Sequence, residues 1–320
     1  MRIAVLTSGG DAPGMNAAIR AVVRYAGYED IEVFGVERGY MGLVNDDMRM
    51  LSKRSVSGIV QRGGTFLMTA RCPEFVEYDV RKKAAENLAN RNIDGLVVIG
   101  GDGSFRGMED LYKDFGIKTI GIPGTIDNDL AYTDFTLGFD TAVNTVVENI
   151  NKLRDTMSSH ERVVVVEVMG RHCGDIALYS GIASGAEIIL VPEHPVDYDE
   201  VAKVLGRGKK AGKQSAIIML AEGAAKMDDV IRELKERHPE LHFRSSVLGH
   251  IQRGGTPSQA DRMLAAQMGA KAVQLLAEGK GGRVVGIKNN KIIDLPVSEA
   301  LSMPREIDND LYNLAKILSL

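Results

Sequence analysis

Gly95-Leu96-Val97-Val98-Ile99-Gly100-Gly101-Asp102-Gly103-Ser104 is the stretch whose reading decides the fold. Four consecutive apolar residues, three of them β-branched, have the pattern of a strand buried on both faces. The glycines end that strand, and 104–115 resumes with the spacing of an amphipathic helix. The same strand, glycine turn and helix recur upstream, where 3–7 leads through Ser8-Gly9-Gly10-Asp11 into a helix over 14–27. Downstream, strand 118–122 runs into Pro123-Gly124-Thr125. Further strands are expected at 31–36, 163–168, 187–191, 215–220, 246–249 and 283–287. Further helices are expected at 80–91, 139–155, 175–184, 198–206, 227–237, 258–278 and near the C-terminus. This alternation predicts an α/β fold of mostly parallel sheets covered by helices on both faces. In such sheets ligands sit beyond the carboxyl ends of the strands, where the glycines of this chain cluster.

A chain of 320 residues exceeds one small core, so two lobes are expected. One is placed at 1–138 plus about 251–305, the other at 139–250 plus the C-terminal helix. Gln61-Arg62-Gly63-Gly64-Thr65 is echoed by Gln252-Arg253-Gly254-Gly255-Thr256, too short a match to establish a duplication. The 39 basic and 43 acidic residues leave a formal charge of −4, which offers no footprint for nucleic acid or an acidic membrane. No apolar run reaches the length of a bilayer span. Met1 opens directly into a strand pattern, so no leader is expected. Cys72 and Cys173 are read as reduced thiols of a cytoplasmic protein.

Three turns carry the pattern of anion chemistry. The segment from Thr7 to Asn16 brings backbone N–H groups to a helix N-terminus, though it is neither a Gly-x-Gly-x-x-Gly nor a Walker A loop, and a plain tight turn is an equal alternative. In the Gly100–Ser104 turn, Gly101 and Gly103 leave room for a polyphosphate and Asp102 can hold Mg²⁺ directly or through water. A helix cap by Asp102 or Ser104 is the alternative there, although it leaves three glycines unexplained. In Thr125-Ile126-Asp127-Asn128-Asp129, one carboxylate could deprotonate a hydroxyl while the other serves a metal, or the segment could be only an Asx-rich turn. Arg171, His250 and Arg253 sit in glycine turns just after strands, which suits phosphate binding better than a solvated face. His172 and Cys173 lack further ligands for zinc.

Together these segments resemble the bacterial ATP-dependent phosphofructokinases. The resemblance rests on LTSGGDAPGMNAAIR, the RGGT and TARCPEF pair, GGDGS, PGTIDND, SSHER, EVMGRHCGD, AEG and VLGHIQRGGTP in this order, and it spans nearly the whole chain. It implies transfer of the γ-phosphoryl group of ATP to the 1-hydroxyl of fructose 6-phosphate, in a site between two lobes. By position, Gly10, Arg71, Cys72, Gly101, Asp102, Gly103 and Ser104 would form the ATP site. Asp102 and Asp129 would serve Mg²⁺. Asp127 would be the base, with Thr125 and Arg171 beside it in catalysis. Thr125, Ile126, Met169, Gly170, Arg171, Glu222, His250, Ile251, Gln252 and Arg253 would hold the sugar phosphate, joined by Arg162 and Arg244 from a neighbouring subunit of a homotetramer.

Arg20, Arg24, Arg154, Gly185, Glu187 and Lys213 match much of the family's site for ADP or phosphoenolpyruvate, in which Lys53 also has a place by position. Lys53, Gly58 and Ala211 depart from its pattern, where Arg, Asp and a basic residue are frequent, so effector control is expected to be blunted. Glu161 and Arg162, opposite in charge and adjacent, are expected to exchange places in an affinity switch. Pyrophosphate-using relatives typically carry Asp and Lys where Gly103 and Gly124 stand, which favours ATP as donor. Kinases of other phosphosugars, of lipids or of NAD, and a non-catalytic ATP sensor, are the rival readings; the cationic cluster disfavours the lipid and NAD kinases.

Overall fold

The computed structural model describes residues 1–319. In chain order the elements are β1 (Arg2–Thr7), α1 (Met15–Ala26), β2 (Glu32–Val36), α2 (Gly39–Asn45), β3 (Met48–Leu51), α3 (Tyr78–Asn90), β4 (Gly95–Gly100) and α4 (Asp102–Phe115). They continue with β5 (Lys118–Pro123), α5 (Phe139–Ser158), β6 (Arg162–Val168), α6 (Asp175–Ser184), β7 (Ile188–Leu190), α7 (Tyr198–Lys210), β8 (Ala216–Ala221) and α8 (Met227–Arg237). Then follow β9 (His242–Val247), α9 (Gln259–Ala277), β10 (Arg283–Lys288), β11 (Lys291–Pro296), α10 (Val297–Ser302) and α11 (Asn309–Leu318).

The chain divides into two compact units. The first comprises Met1–Ile126, Leu130–Thr141 and Arg253–Pro304; the second comprises Asp127–Asp129, Ala142–Gln252 and the C-terminal part from Arg305. The first holds a seven-stranded sheet in the order β11-β10-β5-β4-β1-β2-β3. Its five inner strands are parallel, and β3 and β11 close the edges antiparallel. Leu6, Val36, Leu96 and Val98 pack there against Phe105, Met108 and Leu111 of α4. The second unit holds an all-parallel sheet in the order β7-β8-β6-β9, with Val163, Val165, Ile218 and Leu220 packed on Val201 and Leu205 of α7 and Val230 and Leu234 of α8. Both sheets match the expected α/β class.

Three departures have local causes. The strand expected at 246–249 runs instead from His242 to Val247, because it is an edge strand with Phe243 as its one buried residue and so carries no apolar run. The β10–β11 hairpin turns on Asn289 and Asn290, both with positive φ (50° and 60°), the backbone of a two-residue hairpin that asparagine tolerates. Glu161 lies before β6 in a left-handed conformation (φ 51°), so it does not alternate with Arg162 as a strand neighbour would and the expected exchange loses that geometric basis.

Asp261, buried in the first turn of α9, fastens the last residues of the first unit before α5 leaves it. Its carboxylate accepts from the Gly138 and Thr141 amides (2.8 and 2.9 Å) and from the Thr141 hydroxyl. Burial raises its pKa against the lowering effect of those donors, so its contribution to stability falls as pH rises through the window between its unfolded and folded values. Asp261→Ala would strand buried donors, and urea melts at neutral pH are expected to show a loss of about 1–3 kcal/mol. An unchanged midpoint would mean that the network adds nothing.

Candidate active site

In the first unit, three glycine turns meet at the carboxyl ends of adjacent strands. β1, β4 and β5 are neighbours in the sheet; the Ser8 amide donates to Ile99 O (2.9 Å), and the Gly124 amide donates to Gly100 O (2.9 Å). Gly101 is the cap residue of α4, with no side-chain cap bond, and Asp102 is the first helical residue. Ser104, the alternative cap in sequence, lies instead inside the helix, buried, with its amide on Gly101 O (3.0 Å). The helix end therefore presents backbone donors toward open space: a Cβ on Gly103 would meet nothing within 4 Å. Asp102 points along this turn, 3.2 Å from Arg106. Thr125 is buried beside it, its carbonyl held by the Thr136 hydroxyl at 2.6 Å, and Ile126 is fully buried.

Gly10 answers a close approach. A Cβ there would lie 2.5 Å from Nη1 of Arg253, whose guanidinium also donates to Asp11 O (3.2 Å). Sequence reasoning assigned Gly10 to ATP and Arg253 to the sugar phosphate; within this unit the two are packed together. Arg71 is exposed, and Cys72 is half-buried with its thiol pKa pushed up by burial and then by Glu74, so it acts by packing rather than as a nucleophile.

In the second unit, the turns after β6, β8 and β9 converge. Asp127 is 1% exposed, and its Oδ2 lies 3.3 Å from Nε of Arg171, which is itself 60% exposed. Arg171 adopts φ 54°, and its amide donates to Glu222 Oε1 (2.8 Å). Gly170, at φ 140°, sits so near Cys173 O that an added Cβ would be 2.3 Å away, which confines this position to glycine. Gln252 is fully buried and accepts from the Met169 amide (3.2 Å), which brings the turn bearing His250 and Ile251 to the turn after β6. Glu167 has its pKa raised by burial and then by Glu222. Burial similarly drives the Cys173 thiol up to about 12.

Arg162 and Arg244 occupy a different place. Arg162 pairs with His242 and Val164 with Arg244, so both arginines project from one face of the sheet. Arg162 stands at the opposite end of β6 from Met169, about 20 Å away at the usual rise per residue. Within one chain Arg162 cannot reach the group that Arg171 would bind.

The sequence-derived effector residues fall in both units. In the first, Arg20 and Arg24 lie on α1, and the Lys53 stem covers Gly27. In the second, Arg154 donates to the carbonyls of Ser184 and Gly185 (2.5 and 2.6 Å), and Lys213 lies 3.8 Å from Glu187. Glu187, Ala211 and Lys213 line a cavity of about 300 Å³ with Arg207 and Lys209.

Asp129 is partly buried beside Asp127, at the end of a loop that Asn128 anchors. Sequence reasoning missed Asp175 and Arg305, whose bonds to Asn128 span 47 and 177 residues. Among the described residues no helix is long and apolar enough to cross a membrane.

The Phosphofructokinase family model matches residues 2–276. The chain is 57% identical over 317 residues to the ATP-dependent 6-phosphofructokinase of Clostridium acetobutylicum, covering 99% of each, and 56% identical over 319 residues to that of Clostridium botulinum, again covering 99% of each. The solved phosphofructokinase of Saccharomyces cerevisiae superposes with a TM-score of 0.90 at 36% identity; it aligns with 99% of this chain, which spans about half (48%) of the yeast chain. The glycine turns, the buried Asp127 and the arginine that faces it are thus features of a chain that belongs to the phosphofructokinase family.

Proposed function

We propose that this protein is an ATP-dependent 6-phosphofructokinase, moving the γ-phosphoryl group of ATP to the 1-hydroxyl of fructose 6-phosphate. The observation that carries the reading is the buried Asp127 carboxylate facing a solvent-accessible Arg171 at the carboxyl end of a parallel sheet. A base must align and deprotonate the sugar hydroxyl, while a cation offsets charge on the transferring group. Asp127 takes the first role and Arg171 the second. Met169, Gly170, Glu222, His250, Ile251 and Gln252 surround them in the same unit and hold the sugar phosphate. Thr125 and Ile126 follow β5 in the first unit, next to the nucleotide turn.

ATP binds the uncapped start of α4 through backbone donors, with Gly10, Gly101, Gly103, Ser104, Arg71 and Cys72 around it. Asp102 fits a Mg²⁺ ion, since its ionic partner here is an exposed arginine and a hard cation needs few protein oxygens when phosphates and water supply the rest; Asp129 is the second candidate ligand. When bound, the ion neutralises phosphate charge. The pairing geometry favours an assembly: Arg162 and Arg244 lie too far along their strands for the Arg171 site of their own chain, and Val247 and Ile251 near the edge strand are 60% and 51% exposed. A homotetramer in which these arginines complete a neighbour's site accounts for both. The compartment that fits is the cytoplasm, where ATP and reduced thiols are available.

Of the cations around Ala211, Arg207 is shared with Glu200 (3.4 Å), Lys209 with Glu240 (3.4 Å) and Lys213 with Glu187 (3.8 Å). An anionic effector would compete with those carboxylates. A coupled ADP-release assay with Mg²⁺, ATP and a fructose 6-phosphate titration tests the whole. Robust turnover is expected, with half-saturation moved less than about threefold by saturating phosphoenolpyruvate. No turnover with ATP would overturn the function, and a large sigmoidal shift would overturn the blunted control.

A further inference from the structure

Asn128 separates the two carboxylates of the Asp127–Asp129 loop and stands in the left-handed region (φ 53°), which asparagine visits at low cost. Both ends of this residue are held. Its side-chain amide donates to Asp175 Oδ2 (2.8 Å), and its carbonyl accepts from Nε of Arg305 (3.2 Å). Arg305 in turn donates through Nη2 to the same Asp175 oxygen. The result is a closed ring of three residues, with Asp175 buried in the first turn of α6 and Arg305 at the point where the chain returns to the second unit.

We propose that Asp175 and Arg305 are positioning residues that act through Asn128 to fix the Asp127 carboxylate against Arg171 during phosphoryl transfer. The proposal rests on Asp127 being the base. The ring holds the Asn128 side chain and the peptide unit that follows it, so it pins the Asn128 Cα next to Asp127, and a shift of that Cα is what would carry Asp127 off its line to the hydroxyl. The buried Asp175 charge is matched by one forked cation, a geometry that lysine reproduces only in part. Misplacing a reacting group by about 1 Å costs up to about a hundredfold in rate. The side chains of Asp175 and Arg305 bond to Asn128 and to each other, next to Asp127, so their loss bears on the chemical step more than on holding the sugar phosphate.

The test uses the full-length enzyme with Arg305→Met, Arg305→Lys and Asp175→Asn, each also built on Asp127→Ser, with thermal melts to confirm folding. Arg305→Met is expected to lower kcat about ten- to a hundredfold while half-saturation by fructose 6-phosphate moves less than about threefold, and Arg305→Lys recovers part of the loss. On Asp127→Ser the same changes should cost less than about twofold more, because the group they position is gone. If Arg305→Met does not fold, Arg305→Lys and Asp175→Asn carry the comparison. Folded variants with kcat near the parent value, or losses that multiply fully on Asp127→Ser, would overturn the clamp alone. High turnover by Asp127→Ser itself would overturn the assignment of the base and the clamp with it.

Discussion

Asp127→Ser is expected to lower turnover by at least about a hundredfold, the low end for removal of a general base. The fold should survive. Serine relieves the desolvation of a carboxylate that is only 1% exposed, and the arginine left behind is 60% exposed, so water satisfies the remaining charge. This differs from the usual case of a broken buried pair, where the orphaned partner has no access to solvent. Binding of fructose 6-phosphate should change little, since the turns bearing Met169, Arg171 and His250 are the ones proposed to hold the phosphate. The signature is therefore a collapse in kcat with a nearly constant half-saturation. Turnover within about tenfold of the parent would remove Asp127 from the proton-transfer step, and a matching loss of sugar-phosphate affinity would recast it as a binding residue.

The turns of the first unit were legible because each is local. The Gly100–Ser104 segment reads as strand, turn and helix within ten residues, and its structure differs from that reading only in which residue caps the helix. The inner parallel strands were equally visible, being buried on both faces and hence carrying continuous apolar runs. Edges were not. β3 exposes Arg49 and Met50, β9 buries Phe243 alone, and β11 begins on an exposed lysine, so none shows a continuous run. Asp175 illustrates the deeper limit. In sequence it is an acidic residue at a helix start, which accounts for itself through the helix dipole. Its bonds to Asn128 and Arg305 join residues 47 and 130 apart, and no spacing rule reaches that far. Arg162 is the reverse case: its residue type was informative, but only the length and direction of β6 place it remote from Arg171.

Gly103→Asp should abolish most ATP turnover while leaving the protein folded. The substitution is sterically free, because a Cβ at this position meets nothing within 4 Å, and aspartate suits the first turn of a helix. Its charge, however, would stand next to Asp102 at the helix end proposed to receive the ATP phosphates. Like charges brought together in a recognition site cost several kcal/mol, so kcat/KM for MgATP is expected to fall about a hundred- to a thousandfold. Gly103→Asn, of equal size and no charge, separates repulsion from bulk and should lose no more than about tenfold. Equal losses in the two variants would mean that space is limiting, and retained turnover in Gly103→Asp would move the phosphates elsewhere. The aspartate alone should not create a pyrophosphate-using enzyme. That role calls for a lysine at 124 as well, and a Cβ on Gly124 would stand 3.0 Å from Ile99 Cγ2 and 3.1 Å from the Met15 methyl, inside a packed core. On the proposed reading donor choice is held at two levels: open space at Gly103 would admit a nucleotide, while the close contacts at Gly124 would oppose the cation that completes the alternative site.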